Sequence, residues 1–143
     1  MITGQEFEAL VREHVPLFRD YNLRVDSLGD GRITAFLPYR EDFVRPGGTI
    51  TGPALFALAD LALYGAVLSR IGRIELAVTT SITINFLRRP APVGVHAEGR
   101  LLKLGRRLAY GEVLMRSEGE EEPVAHATGT YSIPPQDAAN PAG

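Results

Sequence analysis

One carboxylate stands apart in this chain. Asp60 lies inside Ala54-Leu55-Phe56-Ala57-Leu58-Ala59-Asp60-Leu61-Ala62-Leu63-Tyr64-Gly65-Ala66-Val67-Leu68, a run that is otherwise apolar but for the phenol of Tyr64. A charge taken out of water without a partner is expensive. Asp60 therefore has two readings: a base or nucleophile sheltered for chemistry, or a group that caps a loop or pairs with an arginine. Tyr64, one helical turn further on, is a core residue or the wall of a small pocket. The histidines His14, His96 and His126 are far apart in sequence and form no HExxH-type pair, and there is no cysteine. Disulfides and thiolate-ligated metal are excluded, and no metal site is expected. His96 and His126 alternate with small residues on strands and read as edge or interface residues. Arg88-Arg89 and Arg106-Arg107 fall at strand ends or turns. Guanidinium forks there suit phosphate, with a plain solvated surface as the alternative.

The elements that must position these residues are readable from pattern. Thr3-x-x-Glu6 fits a capping box, and Phe7, Leu10, Val11 and His14 follow a helical stripe, so a first helix is predicted over 3–15. Pro16 should end it, with Leu17 and Phe18 packing in the exit turn. Alternation then predicts a hairpin folded at Gly29-Asp30-Gly31, followed by a loop from Tyr39 to Ile50 around Pro46-Gly47-Gly48. A second helix is expected over about 52–71, with Thr51 or Gly52 as N-cap, Pro53 at its start and Gly72 as its stop. It is apolar on every face, so it crosses a membrane or is enclosed by protein. Its fifteen-residue apolar run spans only ~22 Å at ~1.5 Å per residue, short of a hydrocarbon core of ~30 Å, and Asp60 sits near its middle. It is read as a buried central helix.

Four strands follow: Leu76 to Arg88, one around Val95 to Leu101, Leu108 to Arg116, and Val124 to Ile133. The fold class is therefore α+β, an antiparallel sheet wrapped around a central long helix in a single domain over 1–133. Residues 134–143, with three prolines, read as a disordered tail. One sheet leaves part of such a helix, or a sheet edge, uncovered, and a second chain is expected to cover it.

Size and charge fit this picture. The 143 residues include 15 basic and 17 acidic side chains, for a net charge of −2. That is one domain, without the basic excess that nucleic-acid binding needs. No signal peptide is read at the start, and a cytoplasmic location is the expectation.

Particular motifs go further. The Gly-rich loop Arg45-Pro46-Gly47-Gly48-Thr49-Ile50-Thr51-Gly52, the helix core Leu58-Ala59-Asp60, the strand from Thr79 to Leu87 ending in Arg88-Arg89-Pro90, the Gly105-Arg106-Arg107 turn and the closing Ala127-Thr128-Gly129-Thr130-Tyr131 occur in an order and spacing that resembles the hotdog-fold acyl-CoA thioesterases, in the PaaI-like branch named for phenylacetate degradation. The resemblance spans about residues 15 to 133. It implies the hotdog fold, hydrolysis of an acyl-CoA thioester, no cofactor beyond the coenzyme A of the substrate, and a homodimer or a dimer of dimers. It places the family's carboxylate on Asp60 and a hydroxyl-bearing residue on Thr79, give or take one position, which brings in Thr80. The family's His-Gly-Gly run is Thr51-Gly52-Pro53 here, and its asparagine falls near Arg45.

Thioester hydrolysis needs hydrogen-bond donors where negative charge develops on the carbonyl oxygen. A helix N-terminus supplies free N–H groups, and Gly52 lets a substrate come close to its own. Thr51 is a plain cap or a substitute for the histidine, Tyr64 and Thr80 are candidate substrate contacts, and Arg88, Arg89, Arg106 and Arg107 are candidates for the coenzyme A phosphates. Gly52 and Asp60 are eight residues apart, or ~12 Å along one helix, too far to serve one carbonyl from one chain. The expected site combines Gly52 of one copy with Asp60 of another. A non-catalytic acyl-CoA-binding module is the alternative. A hydratase ranks last, because no histidine lies near Asp60.

Overall fold

The computed structural model describes residues 1–135. Helix α1 (Gly4–His14) opens on the capping box: Thr3 Oγ1 accepts from the Glu6 N–H at 3.1 Å, and Glu6 Oε1 from the Thr3 N–H at 2.9 Å. Pro16 ends α1, but the chain does not enter the simple exit turn that was expected. It starts a second short helix, α2 (Pro16–Asp20), because a first helical position has no use for the missing N–H. Phe18 is buried by α2, whereas Leu17 is 51% exposed, which corrects the expectation that both pack. The hairpin β1 (Arg24–Gly29) and β2 (Arg32–Leu37) turns at Asp30-Gly31. The expected loop between 39 and 50 is more ordered than its sequence suggests. It holds a 3-10 turn (Glu41–Phe43) and a miniature hairpin, β3 (Val44–Arg45) and β4 (Thr49–Ile50), folded through Gly47 and Gly48 at φ +100° and +76°.

Helix α3 (Gly52–Ile71) has the predicted bounds and stops at Gly72, φ +88°. Then come β5 (Val78–Phe86), β6 (Val95–Leu104), β7 (Leu108–Ser117) and β8 (Pro123–Ser132). With β1 and β2 they form one antiparallel sheet in the order β1-β2-β6-β7-β8-β5. Helix α3 lies against all six strands, so the chain adopts the expected α+β architecture of a hotdog fold. The approach is close: a methyl group added at Gly129 would stand 2.6 Å from Leu63 Cδ1, and one at Gly99 would stand 3.3 Å from Ala62 Cβ. By length and composition α3 could cross a membrane, with mean hydropathy 1.6, but 72% of that stretch is buried inside the protein, as in a core helix. From residue 136 on, the expected tail lies outside the described residues.

The cover on α3 is incomplete. Pro53, Phe56, Asp60 and Tyr64, at i+3 and i+4 spacing, form a stripe that keeps partial or full exposure. Strand β5 ends the sheet on one side with its outer backbone edge unpaired among the described residues.

Candidate active site

Asp60 is neither in an ion pair nor open to bulk water on all sides. Its Oδ1 accepts two hydrogen bonds, from Thr79 Oγ1 at 2.8 Å and from the Tyr131 hydroxyl at 2.6 Å. The same phenol reaches the Asp60 carbonyl oxygen at 3.2 Å. Oδ2 has no partner among the described residues. The carboxylate lines an open cleft of about 270 Å³ with Val15, Phe18, Tyr64, Ala77 and Tyr131, so α2 and the residue joining it to α1 contribute one wall.

The backbone explains why Thr79 and not Thr80 meets Asp60. Strand β5 pairs with β8 as Thr79↔Tyr131, then Ser81↔Thr130, with a register shift between them, so Thr80 is an extra residue. Such a bulge breaks the simple alternation of faces. Beyond it Ile82 and Ile84 pack on the core; before it the inward position passes to Thr79. Thr80 points elsewhere and bonds the Thr130 carbonyl at 3.1 Å. Thr79 and Tyr131 are direct cross-strand partners, and that pairing lets both hydroxyls converge on one oxygen.

Tyr131 carried no role in the sequence reading. The available signal was the inward face of β8, where Ala125, Ala127 and Gly129 precede it. A large side chain with a polar tip, ending a row of small ones, needs a partner. Burial, then the Asp60 charge, then its bond to that carboxylate push the Tyr131 phenol well above its ordinary value. It stays protonated and donates. Tyr64 stacks on Tyr131 at 5.9 Å between ring centroids and donates to the Glu75 carbonyl at 3.0 Å. Its phenol is also raised, by burial first and then by the charges of Glu75 and Asp60.

Gly52 lies at the other end of α3. Thr51 occupies the N-cap, yet its side chain makes no capping bond, and Pro53 has no N–H to give. The first helical bond runs from the Leu55 N–H to the Thr51 carbonyl. The Gly52 N–H donates to nothing among the described residues, as the first turn of a helix allows. It borders a second cleft, about 500 Å³, lined also by Arg45, Ile50, Leu55, Phe86, Arg88 and Arg89. Arg88 is tied to Glu122 at 2.5 Å. Arg89 lies beside Gly47. Arg106 and Arg107 are not in this cleft. They sit in the β6–β7 turn, next to strand ends that pair through Leu108↔Ser132↔Val78, at the Asp60 end of the sheet; Arg107 also donates to the Ile133 carbonyl.

Of the predicted residues, Asp60, Thr79 and Tyr64 share one cleft and Gly52, Arg88 and Arg89 another, while Thr51, Thr80, Arg106 and Arg107 line neither; Phe86 and Thr79 stand at opposite ends of β5. Among the described residues no three His, Asp or Glu side chains gather as metal ligands. His96 packs at a tilt against Phe36, and His126 meets Glu112 at 2.9 Å, both away from Asp60.

Known proteins share this arrangement of elements. The model of the thioesterase superfamily matches residues 47–124, from the Gly-rich turn to the start of β8. A crystal structure of an inferred thioesterase from Silicibacter sp. TM1040 is 44% identical, with a TM-score of 0.85 over 94% of both chains. A mutant of the phenylacetic acid degradation protein PaaI from Thermus thermophilus is 32% identical, with a TM-score of 0.74 over 83% of this chain and 99% of that one. An inferred esterase from Thermoplasma volcanium is 31% identical across 76% of this chain and 80% of its own.

Proposed function

This chain belongs to the thioesterase superfamily, and from that premise we propose that it is an acyl-CoA thioesterase whose sites are shared between two copies of the chain. The thioester hydrolase activity is that of the family; the substrate, the residues and the assembly are our reading. Water adds its oxygen to the acyl carbon, the carbon–sulfur bond breaks, and coenzyme A leaves as a thiol after taking a proton. Asp60 takes the proton from that water, or attacks the carbon itself and is later released by water. The Gly52 N–H receives the negative charge that builds on the carbonyl oxygen. Coenzyme A enters as part of the substrate.

The observation that carries this reading is the placement of the two half-sites at opposite ends of one unpaired edge strand. Thr79 and Phe86 are seven residues apart, or ~23 Å along a strand at ~3.3 Å per residue. If β5 pairs antiparallel with a second β5 about its middle, Val78 of one copy faces Phe86 of the other. Asp60 with Thr79 then meets the Gly52 of the other chain. The same pairing satisfies the bare edge and covers Phe56, Val78, Phe86 and Leu87, which are 42–55% exposed in the single chain. It also brings Arg45, Arg88 and Arg89 toward Arg106 and Arg107 at one mouth, a cationic rim suited to the phosphates of coenzyme A. A pairing of two such dimers is compatible with the same sites.

A panel of acyl-CoA esters assayed for released thiol tests the proposal. Turnover is expected, and Asp60→Asn should lower kcat by about 10²- to 10⁴-fold, the usual contribution of a positioned base. Tight binding of the esters without turnover would make the protein a binding module. One turnover in ¹⁸O-water tests for covalent attack by Asp60: label in its carboxyl group requires a mixed anhydride opened by water at the aspartyl carbon, whereas label confined to the acyl product fits either role.

A further inference from the structure

We propose that Tyr131 is a positioning residue that, with Thr79, fixes one oxygen of Asp60 and thereby assigns the reacting role to the other. This inference rests on the reading of Asp60 given above and adds to it a residue and an atom. Both hydroxyls end on Oδ1, at 2.6 and 2.8 Å, while Oδ2 is left without a partner beside the cleft. A carboxylate on a helix can rotate about its terminal bond, and that torsion is broad. Two donors on one oxygen remove this freedom, and the phenol's second contact, to the Asp60 carbonyl at 3.2 Å, ties the phenol to the helix backbone as well. Oδ2 is then the atom that takes the proton or forms the bond.

The phenol is itself held. Tyr131 is 3% exposed, and its ring stacks on Tyr64, whose hydroxyl is anchored to the Glu75 carbonyl. It lies in register with Thr79 on one side and Ala109 on the other. Its position is set by the sheet, so the carboxylate on the helix is oriented by two adjacent strands. The titratable groups that face Asp60 are Tyr131 from β8, Tyr64 from α3 and Glu75 from the segment before β5; Glu75 is bridged to Arg73 at 3.3 Å. The junction of α1 and α2 presents Val15 and α2 presents Phe18, neither of which carries a charge. Loss of the Tyr131 hydroxyl frees the carboxylate to rotate, so it should slow the chemical step rather than weaken substrate binding.

The test compares Tyr131→Phe, Thr79→Val and Asp60→Asn with the unmodified protein, on the acyl-CoA ester it turns over fastest. Tyr131→Phe keeps the ring, and thermal unfolding checks that the fold is kept. The expected result is a fall in kcat of about 10- to 100-fold with KM changed by less than about threefold. Thr79→Val should lower kcat in the same way with KM again little changed, so a poorly folded Tyr131→Phe does not decide the matter. Unchanged kcat in both variants, with Asp60→Asn inactive, overturns this inference and leaves the proposed function standing. A loss that merely tracks the folded fraction also overturns it. Full turnover in Asp60→Asn overturns the proposed function and this inference together. If no ester is turned over, the carboxyl carbon-13 spectrum at neutral pH carries the same test. One aspartate resonance should move in both Tyr131→Phe and Thr79→Val, and unmoved spectra overturn the inference.

Discussion

At the scale of single residues, the two half-sites differ in how they tolerate change. A methyl group on Gly52 would come no nearer than 3.4 Å to any group, the Cζ of Phe86. Gly52→Ala should therefore leave stability within about 1 kcal/mol, since alanine is the better helix former. In the proposed shared site the same methyl would crowd the N–H offered to the carbonyl oxygen, and kcat/KM should fall at least about tenfold, as for loss of an oxyanion donor. Unfolding curves paired with steady-state kinetics separate these effects; an unimpaired enzyme would remove Gly52 from the site. Asp60 and Gly52 could be found in the sequence because each is chemically out of place, a charge among leucines and a glycine at a helix start. Tyr131 could be flagged only as a phenol in need of a partner, and the partner itself could not be read because it is 71 residues away. The choice between Thr79 and Thr80 depended on a bulge, which leaves no mark in a run of threonines.

At the scale of elements, α3 and its contacts with the sheet carry the fold. A methyl group at Gly129 would meet Leu63 Cδ1 at 2.6 Å and the Ser81 carbonyl at 3.1 Å. Gly129→Ala should destabilise the protein by about 1–3 kcal/mol, the usual cost of overpacking, measured as a lower denaturation midpoint in urea. Helix α3 was readable to its ends because Pro53 and Gly72 punctuate it and the run between them is rich in alanine and leucine, the strongest helix formers. The segment from Tyr39 to Ile50 was not, because two-residue strands have no period to detect. Helix α2 was missed for a related reason: Pro16 can end one helix and begin another, and only packing of Phe18 decides which.

At the scale of the whole molecule, the sheet's two faces behave differently. The inner face is apolar; the outer one carries Arg100, Glu112 and His126 in a chain of contacts, with Glu112 Oε2 at 2.6 Å from Arg100 and Oε1 at 2.9 Å from His126. The hydrogen bond from His126, then that from Arg100, hold the Glu112 carboxyl below its ordinary value of 4.5. A lowered carboxyl contributes stability above that ordinary value, and the contribution is lost as pH falls through the folded value. Because the pair is open to solvent the contribution is small. The melting temperatures of the unmodified protein and Glu112→Gln should differ modestly at pH 7 and converge as the pH falls below 4.5; a gap that widens on acidification would contradict this. Assembly gives the second prediction at this scale. Activity per chain should fall as dilution separates the copies, followed by light scattering alongside the assay. An active monomer would refute the shared site. The sequence showed that a helix this apolar needed more cover than one sheet provides. The order of strands, which puts β5 at the rim, emerges only from long-range pairing.

The extra residue at Thr80 also bears on how relatives of this chain should be compared. It works like a skipped beat: after it, the odd and even positions of the strand exchange sides. A homologue without the skip would have to place its hydroxyl one step along the chain to reach the same carboxylate. Two such proteins could share the same chemistry while their aligned letters disagree at this position, so correspondence here is better traced by hydrogen-bond partner than by column.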